Sequence, residues 1–155
     1  MQDRRTFLGI AAASLLPLGL NAQAPAPRPP TELARHPLTG PFEGFEVVLV
    51  ELNIAPGARS AGHRHPGPEA WYVVSGAQCL ETPNGLIVAS AGGGAMVPEG
   101  WPMAISSVGA ETRRALVLIL HRSDQPYSMA VDDHRSHGAP HSDWKPLGLC
   151  AKWHR

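Results

Sequence analysis

The sequence has no excess of either charge: 13 Lys and Arg stand against 13 Asp and Glu in 155 residues, for a formal net charge of zero. Without a basic patch it offers no electrostatic footprint for nucleic acid. Long apolar runs are missing as well. The longest, Leu8 to Leu20, has 13 residues and contains Pro17, too short for the ~20 residues of a bilayer-spanning helix. No stretch keeps a helical period well enough to compete with the strand pattern described below. Cysteine is limited to Cys79 and Cys150. They leave two readings open: one disulfide formed in an oxidising compartment, or a buried apolar Cys79 and a surface thiol at Cys150.

Four segments follow one another. Residues 1–24 resemble a twin-arginine export signal: Arg4-Arg5 follows Asp3, an apolar run comes next, and Ala22-Gln23-Ala24 has the form of a cleavage site. The expected location is therefore the bacterial periplasm, with the membrane met only through this signal. Pro25, directly after the site, leaves retention of the signal as the alternative. Residues 25–39 open with PAPRPPTELA, a Pro-rich linker that favours extended geometry. Residues 40–122 break into short β-rich segments punctuated by Gly, Pro and Asn: Phe45 to Ile54, Ala70 to Ser75, Ala77 to Thr82, Leu86 to Ala91, Ala95 to Pro98, Met103 to Val108 and Arg113 to His121. Asn84-Gly85 supplies a strong hairpin signal. This spacing predicts one all-β barrel or sandwich. Residues 123–155 form an irregular tail containing His134, His137, His141 and His154. Gly138 and Pro140 argue against one helix bringing these histidines together. Trp144, Leu147, Leu149 and Trp153 are apolar enough to dock the tail on the barrel as a lid.

Within the barrel, GARSAGHRHPGPEAWYVVSG runs from Gly57 to Gly76. Side chains at i and i+2 share one face of a strand, so His63 and His65 can present two imidazoles to one point. Pro66-Gly67-Pro68 then forces a turn that returns Glu69 to the same place. Two imidazoles and a carboxylate with open positions form a donor set suited to Fe(II) or Mn(II), with copper, zinc and nickel as alternatives. If alternation holds beyond Glu69, Trp71 and Val73 face the same side and wall a pocket, or simply pack in the core. Such an apolar pocket would accept an apolar or aromatic small molecule more readily than a phosphate.

This stretch resembles the first signature of the cupin family, G-x5-H-x-H-x3-E-x6-G, at Gly57, His63, His65, Glu69 and Gly76. The resemblance spans roughly residues 40–122 and implies a double-stranded β-helix, or jelly-roll, barrel. The second signature, G-x5-P-x-G-x2-H-x3-N, is matched by Gly92, Pro98 and Gly100. Met103 stands where histidine is expected, and Ser107 where asparagine is expected. Three cases stay open: a three-ligand site completed by water, a copper site using Met103, and a barrel without metal. His121 is a candidate third imidazole, and Trp101 flanks the pocket beside Met103. The family includes dioxygenases, decarboxylases and isomerases, and many members pair as homodimers. The resemblance therefore implies either a metal-dependent, dioxygenase-like enzyme acting on a small organic molecule or a noncatalytic module that holds a metal or small ligand.

Overall fold

The computed structural model describes residues 28–132 and 140–153. The export signal and the histidines at 134, 137 and 154 lie outside the described residues. The strands are β1 (Thr31–Pro37), β2 (Phe45–Ile54), β3 (His63–Arg64), β4 (Glu69–Ser75), β5 (Ala77–Thr82), β6 (Gly85–Ser90), β7 (Gly94–Val97), β8 (Ala104–Val108), β9 (Arg113–Arg122) and β10 (Met129–Ala130). They form a five-stranded sheet in the order β1-β2-β9-β4-β7, a three-stranded sheet β6-β5-β8, and the pair β10-β3. Among the described residues no helix is long and apolar enough to cross a membrane.

Alternation in the sequence explains how the two larger sheets enclose one core. In β2, Glu46, Val48, Val50 and Ile54 are buried; in β9, Arg113, Ala115, Val117, Ile119 and His121 are buried while Arg114 and Leu118 are exposed. β2 and β9 pair antiparallel from Phe45↔Arg122 to Ile54↔Arg113, so their inward residues meet in register. Leu80 and Ile105 close the core from the other sheet. Each fully buried Val, Leu or Ile side chain in this core contributes about 1.5–3 kcal/mol. The predicted hairpin forms between Thr82 and Gly85, which are paired, with Gly85 at φ 111°.

Two expectations are corrected. Residues 31–37, read as linker, form β1, an exposed edge strand paired with β2. The prolines that suggested a linker lie at its ends: Pro29 and Pro30 precede it, and Pro37 is its last residue, where no further ladder hydrogen bond is needed. The tail does dock, but not through the leucines. Leu147 and Leu149 are 76% and 47% exposed. Their backbone N–H groups, with that of Gly148, instead donate to the buried Glu81 carboxylate. Arg59 donates to the same carboxylate at 3.1 Å. Beside this cluster Cys79 and Cys150 form a disulfide across a separation of 71 residues. Closing a loop of that length contributes about 4 kcal/mol in the chain-entropy picture.

Candidate functional site

One turn assembles the site. The chain reverses at Pro66-Gly67-Pro68, where a Cβ on Gly67 would lie 1.7 Å from the Leu120 carbonyl oxygen. Only glycine permits this approach, and it lets the Pro68 carbonyl accept the Leu120 N–H at 3.2 Å. The turn is thereby tied to β9, and Glu69 enters β4 in register with Ile119 on one side and Val97 on the other. Its carboxylate returns to His65, with Nε2 and Oε2 2.7 Å apart. The rings of His63 and His65 are nearly perpendicular, their centroids 5.2 Å apart.

Both imidazoles are oriented through Nδ1. That of His63 donates to the Ala61 carbonyl at 3.0 Å, and that of His65 to the Tyr127 carbonyl. A carbonyl only accepts, so Nδ1 carries the proton and Nε2 is left with the lone pair in the neutral ring. Metal-ligating histidines are commonly oriented in this way. Glu69 is 2% exposed, and its Oε1 has no hydrogen-bond partner. Leaving a buried acceptor unpaired costs about 1–3 kcal/mol.

The two histidines differ electrostatically. Burial pushes the His63 pKa below its usual value, as does the nearby His65, and the Ala61 carbonyl and Glu69 only partly oppose them. Burial also disfavours the charged form of His65. There, however, the hydrogen bond and charge of Glu69, together with the Tyr127 carbonyl, outweigh it and hold the pKa above the usual value. His65 is the more basic ring and shares its Nε2 proton with Glu69.

In kind, this donor set fits a divalent ion once His65 gives up its Nε2 proton: two Nε2 lone pairs and a carboxylate with one unused oxygen. In spacing it is drawn shut by the His65–Glu69 hydrogen bond. Among the described residues no group of three or more His, Cys, Asp or Glu side chains is arranged to hold an ion as it stands. An ion would have to take the place of the shared proton, and in doing so would give Glu69 Oε1 a partner.

A cavity of about 200 Å³ opens beside His63, His65 and Glu69, walled by Val50, Leu52, Ile105, Val117 and Ile119. Tyr127 and Ser128 close it from the tail and Pro30 from the N-terminal side. Trp71 and Val73 face inward as alternation requires, but with Trp101 they belong to the adjoining core and are not among the lining residues. Alternation fixes the face of a side chain and not its depth; two residues along a strand are ~6.6 Å apart, which carries Trp71 and Val73 away from Glu69. Met103 is directly opposite His63, the two residues exchanging backbone hydrogen bonds of 2.8 and 2.9 Å. Its side chain is 1% exposed and packs in the core. His121 is also buried. It stands across from Glu46, with Nε2 3.1 Å from Oε1, and its Nδ1 donates to the Arg122 carbonyl. It does not line the cavity.

Sequence reading missed Tyr127 and Ser128, which come from a segment without regular alternation and take part through a backbone carbonyl and by position. It also missed Arg113, which is fully buried, with Nη1 3.4 Å from the carbonyl of the wall residue Leu52. Burial pushes its pKa down to about 10, against the opposing charge of Glu69. The signal for Arg113 was present: it has the inward parity of Ala115, Val117 and Ile119.

No protein-family model matches the chain, and no curated protein matches it. Solved structures do. A conserved protein with a double-stranded β-helix domain from Klebsiella pneumoniae is 20% identical, with a TM-score of 0.54 over 67% of this chain and 83% of that one. Oxalate decarboxylase from Bacillus subtilis, studied for its Mn(II) centres, is 21% identical over 57% of this chain and 24% of its own, with a TM-score of 0.45. A cupin superfamily protein from Desulfitobacterium hafniense is 16% identical over 57% of this chain and 76% of its own, with a TM-score of 0.43. The likeness to the Klebsiella protein shows the fold: the barrel is a double-stranded β-helix, all-β as its strand pattern predicted.

Proposed function

We propose that this chain is an exported cupin that holds one divalent metal ion, iron or manganese, through His63, His65 and Glu69 and acts as a dioxygenase-like oxidoreductase on a small organic molecule. The observation that carries the reading is the shared orientation of the two imidazoles. Each has Nδ1 tied to a backbone carbonyl, which leaves Nε2 for a ligand beside a buried carboxylate oxygen that has no partner. Such an ion would supply Lewis acidity and, if redox-active, electrons for oxygen chemistry.

The chain's own residues supply the rest. Lowering of the His63 pKa keeps that ring neutral and able to ligate. Apolar walls from Val50 to Ile119 exclude water and select a small apolar body. Tyr127 closes the cavity and fixes the His65 tautomer through its carbonyl. Periplasmic export is supported by Arg4-Arg5 and the apolar run after it, and by the Cys79–Cys150 disulfide, which persists in an oxidising compartment.

A specific observation favours a second reading, a noncatalytic module for a metal or small ligand. Met103, a weak neutral donor, stands opposite His63 where the family places a further imidazole. Oxygen uptake separates the two. Protein loaded with Fe(II) or Mn(II) and offered a panel of small aromatic and aliphatic acids and phenols should consume oxygen with one substrate class, and His63→Ala should not. Stoichiometric metal without uptake on any member would sink the enzyme reading and leave the binding one.

A further inference from the structure

Arg64 separates the two histidines in sequence and faces away from them, onto a different cavity of about 360 Å³. Pro66, Met129 and Pro140 give this cavity apolar walls, and Glu99 and Gln125 stand with Arg64 around it. The guanidinium is fully buried. Nη1 donates to the carbonyls of Gly100 at 3.0 Å and Pro140 at 3.1 Å, which fixes its plane. Nε and Nη2 have no partner. These two atoms form the side-on edge of the guanidinium, whose parallel N–H groups match the two oxygens of a carboxylate.

Arg64 and Arg113 both leave Nε and Nη2 unpartnered, and of the two it is Arg64 that lines this outer cavity. Arg113 feels Glu69, whereas only burial acts on Arg64. Among the described residues no carboxylate pairs with Arg64; Glu99 lines the same cavity without bonding to it. A buried guanidinium whose carboxylate-binding edge is unpartnered is costly unless an anion completes it.

We propose that this outer cavity is a second binding site, and that it takes a small α-amino acid. The ligand carboxylate lies side-on against Nε and Nη2 of Arg64. Its ammonium faces Glu99 at the rim, and a short apolar side chain lies against Pro66, Met129 and Pro140. The site is separate from the His63–His65–Glu69 cavity and does not depend on metal there.

Calorimetric titration tests this with leucine, 4-methylpentanoate, which lacks the amine, and leucinamide, which lacks the carboxylate. The first two bind the parent protein and leucinamide does not. Arg64→Gln weakens both carboxylates by at least ~10-fold, the worth of a charge-assisted pair of hydrogen bonds. Arg64→Lys, which keeps the charge but loses the fork, weakens them too. Glu99→Gln weakens leucine ~2- to 5-fold, as an exposed pair should, and leaves 4-methylpentanoate unchanged. His63→Ala leaves all these affinities as they were. Failure of both carboxylates to bind the parent, equal binding of leucinamide, or loss of binding in His63→Ala would each overturn the proposal. The comparison of leucine with leucinamide needs no variant, so it decides the matter even if Arg64→Gln does not fold.

Discussion

His63 and Arg64 are neighbours on a two-residue strand, yet they serve opposite sides of it. On the inner side, both imidazoles have Nδ1 spent on backbone carbonyls, so Nε2 is the nitrogen that remains: a lone pair in His63, and in His65 the proton shared with the Glu69 carboxylate, which an ion would replace. On the outer side, the guanidinium of Arg64 has only N–H groups to offer and no carboxylate among the described residues to meet them. A single step along a strand reverses the face. On the two proposals it also reverses the charge of what would be recognised: a cation inside the barrel and an anion outside it. The backbone carbonyls decide the contrast, since they choose which nitrogens are consumed.

The change with the largest expected effect breaks both sides together. Gly67→Ala places a Cβ against the Leu120 carbonyl, backbone that cannot yield as a flexible side chain could. It should lower Tm by more than about 15 °C or prevent folding, as disruptions of this size do. A melting curve close to that of the parent would show that the turn does not depend on this approach.

Removing the Cys79–Cys150 disulfide should separate the two sides. Paired Cys→Ala substitutions are expected to cost about 4 kcal/mol in urea denaturation. They loosen the end of the tail near Cys150, which reaches back to Pro140, a wall of the outer cavity and an anchor of Arg64, and leave Tyr127, the anchor of His65, held by the barrel. Leucine affinity should fall while metal affinity at His63 and His65 holds. Equal loss of both would mean that the two cavities are not independent.

Acidity gives the mildest separation. The raised pKa of His65 means that a proton competes with metal, so affinity should fall as pH drops through that value, beginning above the usual ~6.5. In metal-free protein the same His65–Glu69 bond contributes stability in full below about pH 6.5, and this is lost as pH rises through the raised folded value. Arginine keeps its charge throughout, so leucine binding should be flat between about pH 6 and 8. A metal affinity that is also flat over that range would remove the proton from the His65–Glu69 pair.

The parts of this contrast were unequally visible in the sequence. Strand period two is a local property, so Phe45–Ile54 and the shared face of His63 and His65 could be read directly. The return of Glu69 could be read from Pro66-Gly67-Pro68, although the reason for glycine, the Leu120 carbonyl, comes from a strand more than fifty residues away. The linker residues 31–37 and the part played by Leu147 and Leu149 in docking the tail were misread for opposite reasons. Proline content hid a strand whose backbone hydrogen bonds lie between those prolines. Leucine content suggested apolar docking where backbone N–H groups meet Glu81. Tyr127 acts through a carbonyl that every residue type possesses, so no residue pattern could announce it. His121 illustrates the limit of parity: the sequence left its facing open, and its engagement with Glu46 rests on cross-strand register.

Metal stoichiometry after anaerobic reconstitution with Fe(II) or Mn(II), measured by elemental analysis on the parent, His65→Ala and Arg64→Gln, addresses the inner side most directly. About one ion per chain is expected in the parent and in Arg64→Gln, with little or none in His65→Ala. A parent that remains free of metal, or a His65→Ala variant that binds as much as the parent, would contradict a metal site built on His63, His65 and Glu69.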